Sequence, residues 1–140
     1  MMCTSTTLTE NSRMPLTATD LVEEARRQIR EIAPGEYAAG PDHVLIDVRE
    51  PAEFQTGHIA GAINIPRGVL EVQVDAHPAV ANASDPALSQ KACPIVLYCR
   101  TGGRAALSAL NLQRMGFSDV RSINGGITAW TDAGLPVSTR

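Results

Sequence analysis

Residues Pro94 to Met115 read PIVLYCRTGGRAALSALNLQRM, and this stretch decides the fold. The apolar run Ile95-Val96-Leu97-Tyr98, bounded by Pro94, predicts a short strand buried on both faces. Cys99-Arg100-Thr101-Gly102-Gly103-Arg104 follows as a loop. Ala105, Leu107, Ala109, Leu110, Leu112 and Met115 then carry a helical pattern, with Gly116 as its cap. A cysteine therefore ends a buried strand, and a glycine-containing loop leads from it into a helix. In open α/β sheets, ligands bind outside the carboxyl ends of strands. A helix N-terminus offers unpaired N–H groups and about half a positive charge. Glycines let successive N–H groups turn inward as an anion nest.

The chemistry expected of Cys99 follows from that placement. A free thiol titrates near 8.5, and a helix N-terminus with neighbouring Arg lowers such a thiol to roughly 3.5–7.5. Arg100 and Arg104 flank the loop, so Cys99 is expected to be largely thiolate at neutral pH. A lone strand-end cysteine is more often inert packing. The glycines and the two arginines reverse that balance here. Arg104, at the helix start, is expected to fold back over the cradle and to matter more than Arg100.

Outward from this stretch the chain alternates strands and helices. Leu21, Val22, Ala25 and Ile29 make one apolar helix face after the N-cap candidate Thr17, with Asp20 three residues on. Periodicity alone runs this helix to Ile32, and Pro34 limits it and opens a short helix through Tyr37 and Ala39. Gly40-Pro41-Asp42 reads as a turn. His43 to Arg49 is a second buried strand, ending in charge at Asp47, Arg49 and Glu50. Pro51 opens a short helix through Phe54, closed by Gly57. Ile63-Asn64-Ile65 is a strand stopped by Pro66, and Val69 to Val74 makes one or two helical turns. Residues 75–92 read as a long surface connection. Val120-Arg121-Ser122 is a last short strand, Asn124-Gly125-Gly126 a turn, and Ile127 to Ala133 a final helix with the only tryptophan, Trp130. Alternating strands and helices predict a parallel sheet covered on both faces.

Composition bounds the rest. With 140 residues the chain suits one domain, residues 16–140, behind a polar, disordered tail at 1–15. A net charge of −3 argues against a nucleic-acid surface, and no apolar run approaches a membrane span. The N-terminus lacks a basic start and apolar stretch, so no secretory signal is read. Three cysteines at irregular spacing form no disulfide framework, and a reducing cytoplasm is the expected compartment. Cys93 and Cys99 bracket a strand and so stand roughly 20 Å apart. A disulfide needs Cα atoms within about 7 Å, so Cys93 is read as structural. Cys3 lies in the polar tail. His43, His58 and His77 are scattered, with no metal-site spacing.

The residues just quoted resemble the rhodanese (sulfurtransferase) family over about residues 29–137. Leu45 to Phe54 (LIDVREPAEF) continuing to Gly57 to Pro66 (GHIAGAINIP) carries the first part of the likeness. The loop Cys99 to Arg104 carries the second, and Asn124 to Trp130 (NGGITAW) the third. The resemblance implies a rhodanese-like α/β fold: a five-stranded parallel sheet with helices on both faces. It also implies a short edge strand at Arg30 to Ile32, adopted here over the helical periodicity, and an N-terminal helix as an extension. It implies that Cys99 is the sulfur-carrying nucleophile. The backbone N–H groups of Arg100, Thr101, Gly102, Gly103 and Arg104 would hold the sulfur anion. Asp47 and Arg49 are structural near the site, and His58 serves the fold. Arg67 and Glu71, after the third strand, are candidates for the pocket rim on geometric grounds.

The activity expected is thiosulfate sulfurtransfer. Sulfane sulfur moves from a small donor to a thiol or cyanide acceptor through a Cys99 persulfide, with no metal or organic cofactor; a protein sulfur acceptor stays open. One rival is a cysteine phosphatase or arsenate reductase. The phosphatases of this fold place five residues between Cys and Arg, whereas four stand here, from Arg100 to Gly103. The shorter loop suits one sulfur atom better than a tetrahedral phosphate. The other rival, a non-catalytic rhodanese-like binding module, usually lacks the cysteine that this chain keeps.

Overall fold

The structure is a computed structural model, described over residues 15–38, 43–77 and 91–139. The tail at 1–14, the turn at Gly40-Pro41-Asp42 and residues 78–90 of the connection lie outside the described residues, as does Cys3.

The N-terminal helix α1 spans Ala18–Arg26. Thr17 and Asp20 close its start as a full capping box, Asp20 N donating to Thr17 Oγ1 at 3.1 Å and Thr17 N to Asp20 Oδ2 at 2.9 Å. The helix stops before Ile29, and β1 (Arg30–Ile32) follows as an edge strand, where apolar spacing alone read helix. Then come α2 (Pro34–Ala38), β2 (Val44–Asp47), α3 (Pro51–Gln55) and β3 (Ile63–Asn64). Arg67–Val69 makes a single 3₁₀ turn before α4 (Leu70–Val74). The chain ends with β4 (Ile95–Tyr98), α5 (Gly103–Arg114), β5 (Val120–Ile123) and α6 (Gly126–Asp132).

All five strands are parallel, in the order β1-β5-β4-β2-β3. β4 is central, and each of its residues is buried. Its side chains alternate between two cores. Ile95, Leu97 and Cys99 pack with Leu70 and Val74 of α4 and with Ala105, Ala109 and Leu112 of α5. Val96 and Tyr98 pack on the other side with Leu45, Ile59, Ile123 and Trp130 of α6. The alternation explains why a continuous apolar run is needed in β4. Helix α1 packs along α5 and buries Ala25.

The segment after α6 folds back on α6 and on the chain between α3 and β3. Trp130 Nε1 donates to the Pro136 carbonyl at 2.7 Å. His58 and Ser138 form an antiparallel bridge, His58 N to Ser138 O at 2.7 Å and Ser138 N to His58 O at 2.6 Å. His58 itself lies flat on Phe54, ring centroids 3.8 Å apart. Among the described residues, no helix is long and apolar enough to cross a membrane.

Candidate active site

Cys99 stands immediately after β4, at the carboxyl end of the central strand. It is 1% exposed. Its Sγ accepts the N–H of Gly102 at 3.0 Å. That bond needs the chain to double back within three residues, and Gly102 does so at φ +113, as the N-cap of α5. Such a φ disfavours any residue with a Cβ. The first-turn amides of α5 follow directly, and no helical carbonyl precedes them to accept their bonds. The thiol therefore faces backbone donors and the positive end of a twelve-residue helix.

The loop carbonyls are held out of this cradle. Ile127 N donates to Cys99 O at 2.9 Å and Thr128 N donates to Arg100 O at 3.0 Å. Both donors sit in the first turn of α6, so each helix start serves one side of the loop. Gly126 makes the approach possible: a Cβ there would lie 2.5 Å from both Cys99 O and Arg100 O, and its φ is +62. On the far side, Gly103 faces Val22 of α1, a Cβ at Gly103 lying 3.5 Å from Val22 Cγ2.

Arg104 departs from expectation. Its guanidinium does not close over the cradle but makes a two-point pair with Glu53 of α3, Nη1 to Oε1 at 2.8 Å and Nη2 to Oε2 at 3.1 Å. The Glu53 hydrogen bonds raise the pKa of the Arg104 guanidinium above its usual value, and Arg104 remains near Cys99. The Arg104 hydrogen bonds, with help from the Glu50 N–H, hold the Glu53 carboxyl down at about 2. Arg100 is exposed and forms no ion pair or hydrogen bond through its side chain among the described residues. Thr101 is also exposed.

Asp47 and Arg49 form a buried ion pair below the loop. Arg49 Nη2 reaches Asp47 Oδ2 at 2.7 Å, and Nε lies 3.0 and 3.1 Å from the two carboxylate oxygens. Nη2 also donates to Gly57 O at 2.7 Å. Tyr98, next to the thiol, joins this group: its hydroxyl accepts the Ile59 N–H at 3.0 Å. Burial first, then the Asp47 charge, pushes the Tyr98 phenol well above its usual value. The network ties the chain at 47–59 to the residue preceding Cys99.

An open groove of about 530 Å³ runs beside the loop, between α3 and α6. Arg100 lines it, whereas Cys99 does not, so the groove meets the loop at the residue after the thiol. Arg67 and Glu71, expected at a pocket rim, do not line this groove. They pair with each other, Nη1 to Oε2 at 2.8 Å, and Asn111 Nδ2 donates to Glu71 Oε2 at 2.6 Å. Sequence reasoning missed Glu53, Ile127 and Thr128 as neighbours of the loop. Nothing local in sequence joins them to Cys99. A usable clue lay in Gly125-Gly126, whose two glycines at a helix start signal close backbone approach.

The family model of the rhodanese-like domain matches residues 34–133. The chain belongs to the rhodanese-like domain family. A sulfurtransferase of Allochromatium vinosum is 31% identical over 96 residues, covering 69% of this chain and 78% of the relative. The chloroplastic thiosulfate sulfurtransferase 16 of Arabidopsis thaliana is 36% identical over 97 residues, covering 67% and 78%. Among solved structures, a Rhodopseudomonas palustris protein of unknown function, described as a possible tyrosine phosphatase, superposes with a TM-score of 0.71 at 32% identity. That match covers 90% of this chain and all of the other. The fold of this rhodanese-like domain, with its five parallel strands and flanking helices, and its sulfurtransferase relatives together support sulfurtransferase activity in general.

Proposed function

We propose that this rhodanese-like domain is a thiosulfate sulfurtransferase working through a persulfide on Cys99. The observation that carries the reading is the Gly102 N–H directed at Sγ inside a loop whose carbonyls are turned away. A site built from donors stabilises an anion. It does so without reorganising at the moment of reaction, the logic of an oxyanion hole applied to sulfur.

In the first half-reaction the Cys99 thiolate attacks the outer sulfur of thiosulfate. The sulfur–sulfur bond of the donor breaks, and sulfite leaves with its electron pair. The outer sulfur remains on Sγ as an anionic persulfide, held by the amides from Arg100 to Arg104. In the second half-reaction a thiol, cyanide or a protein acceptor takes that sulfur and returns the thiolate. Two covalent half-reactions predict ping-pong kinetics. A free catalytic thiol is best kept in a reducing cytoplasm, the compartment we propose.

A phosphatase is the reading weighed against it, since one similar structure is described as a possible tyrosine phosphatase. Two features favour sulfur. Four residues separate Cys99 from Arg104, and Arg104 is already paired with Glu53 instead of facing the cradle. Intact-protein mass spectrometry after incubation with thiosulfate tests the proposal. The wild type is expected to gain the mass of one sulfur atom and Cys99→Ala none. Hydrolysis of an aryl phosphate without sulfur loading would overturn it.

A further inference from the structure

The groove between α3 and α6 is larger than a donor as small as thiosulfate requires. Its volume, about 530 Å³, is in the range that holds an extended organic molecule. Much of its wall is neutral: Ala52 and Thr56 on one side, Ile127, Thr128 and Thr131 on the other, Val137 at the edge. The Thr56 hydroxyl donates to Glu53 O at 2.6 Å and the Thr131 hydroxyl to Thr128 O at 3.0 Å. Both protons are thereby engaged.

Charge narrows the occupant further. Three charged residues line the groove. Arg49 is taken up by Asp47 and Gly57 O, and Glu53 by Arg104 and the Glu50 N–H. Arg100 alone has an unengaged charge. Its backbone is fixed, because Thr128 N holds its carbonyl, while its side chain is exposed at the groove mouth. A planar guanidinium accepts a carboxylate at two points. It stands one residue from the sulfur-carrying atom.

We propose that the groove is the acceptor subsite, and that Arg100 selects organic thiols that also carry a carboxylate. The inference rests on the sulfurtransferase reading above. The carboxylate seats on Arg100 and the body of the acceptor lies along α3 and α6. The acceptor thiol gives its proton to solvent, and its thiolate attacks the outer sulfur of the Cys99 persulfide. A bond forms between acceptor sulfur and outer sulfur, and the bond from the outer sulfur to Sγ breaks. Cys99 leaves as thiolate and the acceptor departs as a persulfide, with no net oxidation.

The test uses protein already loaded with one sulfur, so acceptor use is read without the donor step. Single-turnover unloading is followed with 3-mercaptopropionate and with 2-mercaptoethanol, which lacks the carboxylate. Arg100→Gln is expected to slow unloading by 3-mercaptopropionate about tenfold, the worth of one charge-assisted hydrogen bond. Any loss with 2-mercaptoethanol, which reports the general effect of the Arg100 charge on the persulfide, is expected to be severalfold smaller, and Arg100→Lys to fall between. Each thiol is compared with itself across variants, which cancels intrinsic reactivity. Equal losses for both thiols, or no loss for either, overturn the assignment and leave the sulfurtransferase reading standing. Failure of the wild type to load sulfur overturns that reading and this inference with it.

Discussion

Arg104, the last residue of the loop, and Glu53 of α3 stand 51 positions apart in sequence and meet at two points, 2.8 and 3.1 Å. The pair joins the end of the loop to a helix that grows from another strand. It also fixes Glu53 as a wall of the groove and sets Arg104 beside, not over, the thiol.

The first prediction concerns pH. Glu53 titrates near 2 in the folded chain against an ordinary 4.5, so its pairing favours the folded state at every pH above about 4.5. That contribution declines as pH falls from about 4.5 towards 2. Both side chains are about a third exposed, so solvent screening holds the pair to about 0.5–1 kcal/mol. Glu53→Gln should lower the denaturation midpoint at pH 7 and approach the wild type near pH 2. A gap that stays constant over that range would show that the ion pair is not its source.

The second prediction treats the pair as a unit. Arg104→Lys keeps a charge near Cys99 but loses the planar fork. It should reduce kcat/KM for thiosulfate severalfold, and Glu53→Gln should do the same by releasing Arg104. The double variant should be no worse than the worse single one, because both remove the same interaction. Independent, multiplying losses in steady-state kinetics would mean that Arg104 contacts the donor directly.

Gly126→Ala is expected to be among the most damaging single changes. The new methyl would meet two backbone carbonyls at 2.5 Å, at a φ of +62 that already disfavours alanine. Backbone cannot move aside as a side chain can. A loss of about 3 kcal/mol or more in denaturant unfolding is expected, at the upper end of ordinary substitutions. Persulfide loading should slow as well, because the displaced atoms belong to Cys99 and Arg100. A variant of wild-type stability would contradict the close approach.

Tyr98→Phe tests the network beneath the loop. It removes the acceptor of the buried Ile59 N–H and leaves that donor without its partner. An unsatisfied buried group costs about 1–3 kcal/mol. Thermal or chemical denaturation should show a loss of this size while Cys99 still loads sulfur. Loss of loading at unchanged stability would instead assign the hydroxyl to the reaction.

The central strand, the cysteine at its end and the glycine-led helix after it are legible because each is written within a few residues. Burial on both faces demands an unbroken apolar run, and a tight reversal demands Gly102. What escapes a local reading is whatever depends on distant partners. Ile29 and Ile32 fit a helical spacing, yet Arg30–Ile32 pairs with Arg121, Ser122 and Ile123, an edge supplied by the last strand. Arg104 reads as free until α3 brings Glu53 to it. The Arg67–Glu71 pair is the reverse case. Its i,i+4 spacing on a helical turn foretells a mutual ion pair, and the two side chains form one at 2.8 Å.

The strap that bridges His58 to Ser138, and the α6 amides that hold the loop carbonyls, have a consequence in time. A chain made from its N-terminus completes Cys99 well before Ile127, Thr128 or Ser138 exists. Until those residues emerge, nothing turns the Cys99 and Arg100 carbonyls away from the thiol, and one wall of the groove is missing. Cys99 of the nascent chain thus has the Gly102 amide within reach but lacks the α6 donors that turn the loop carbonyls away. The fully seated cysteine arises only when the residues from Gly126 to Ser138 have been made and docked, so maturation of the site follows synthesis of α6 and the strap.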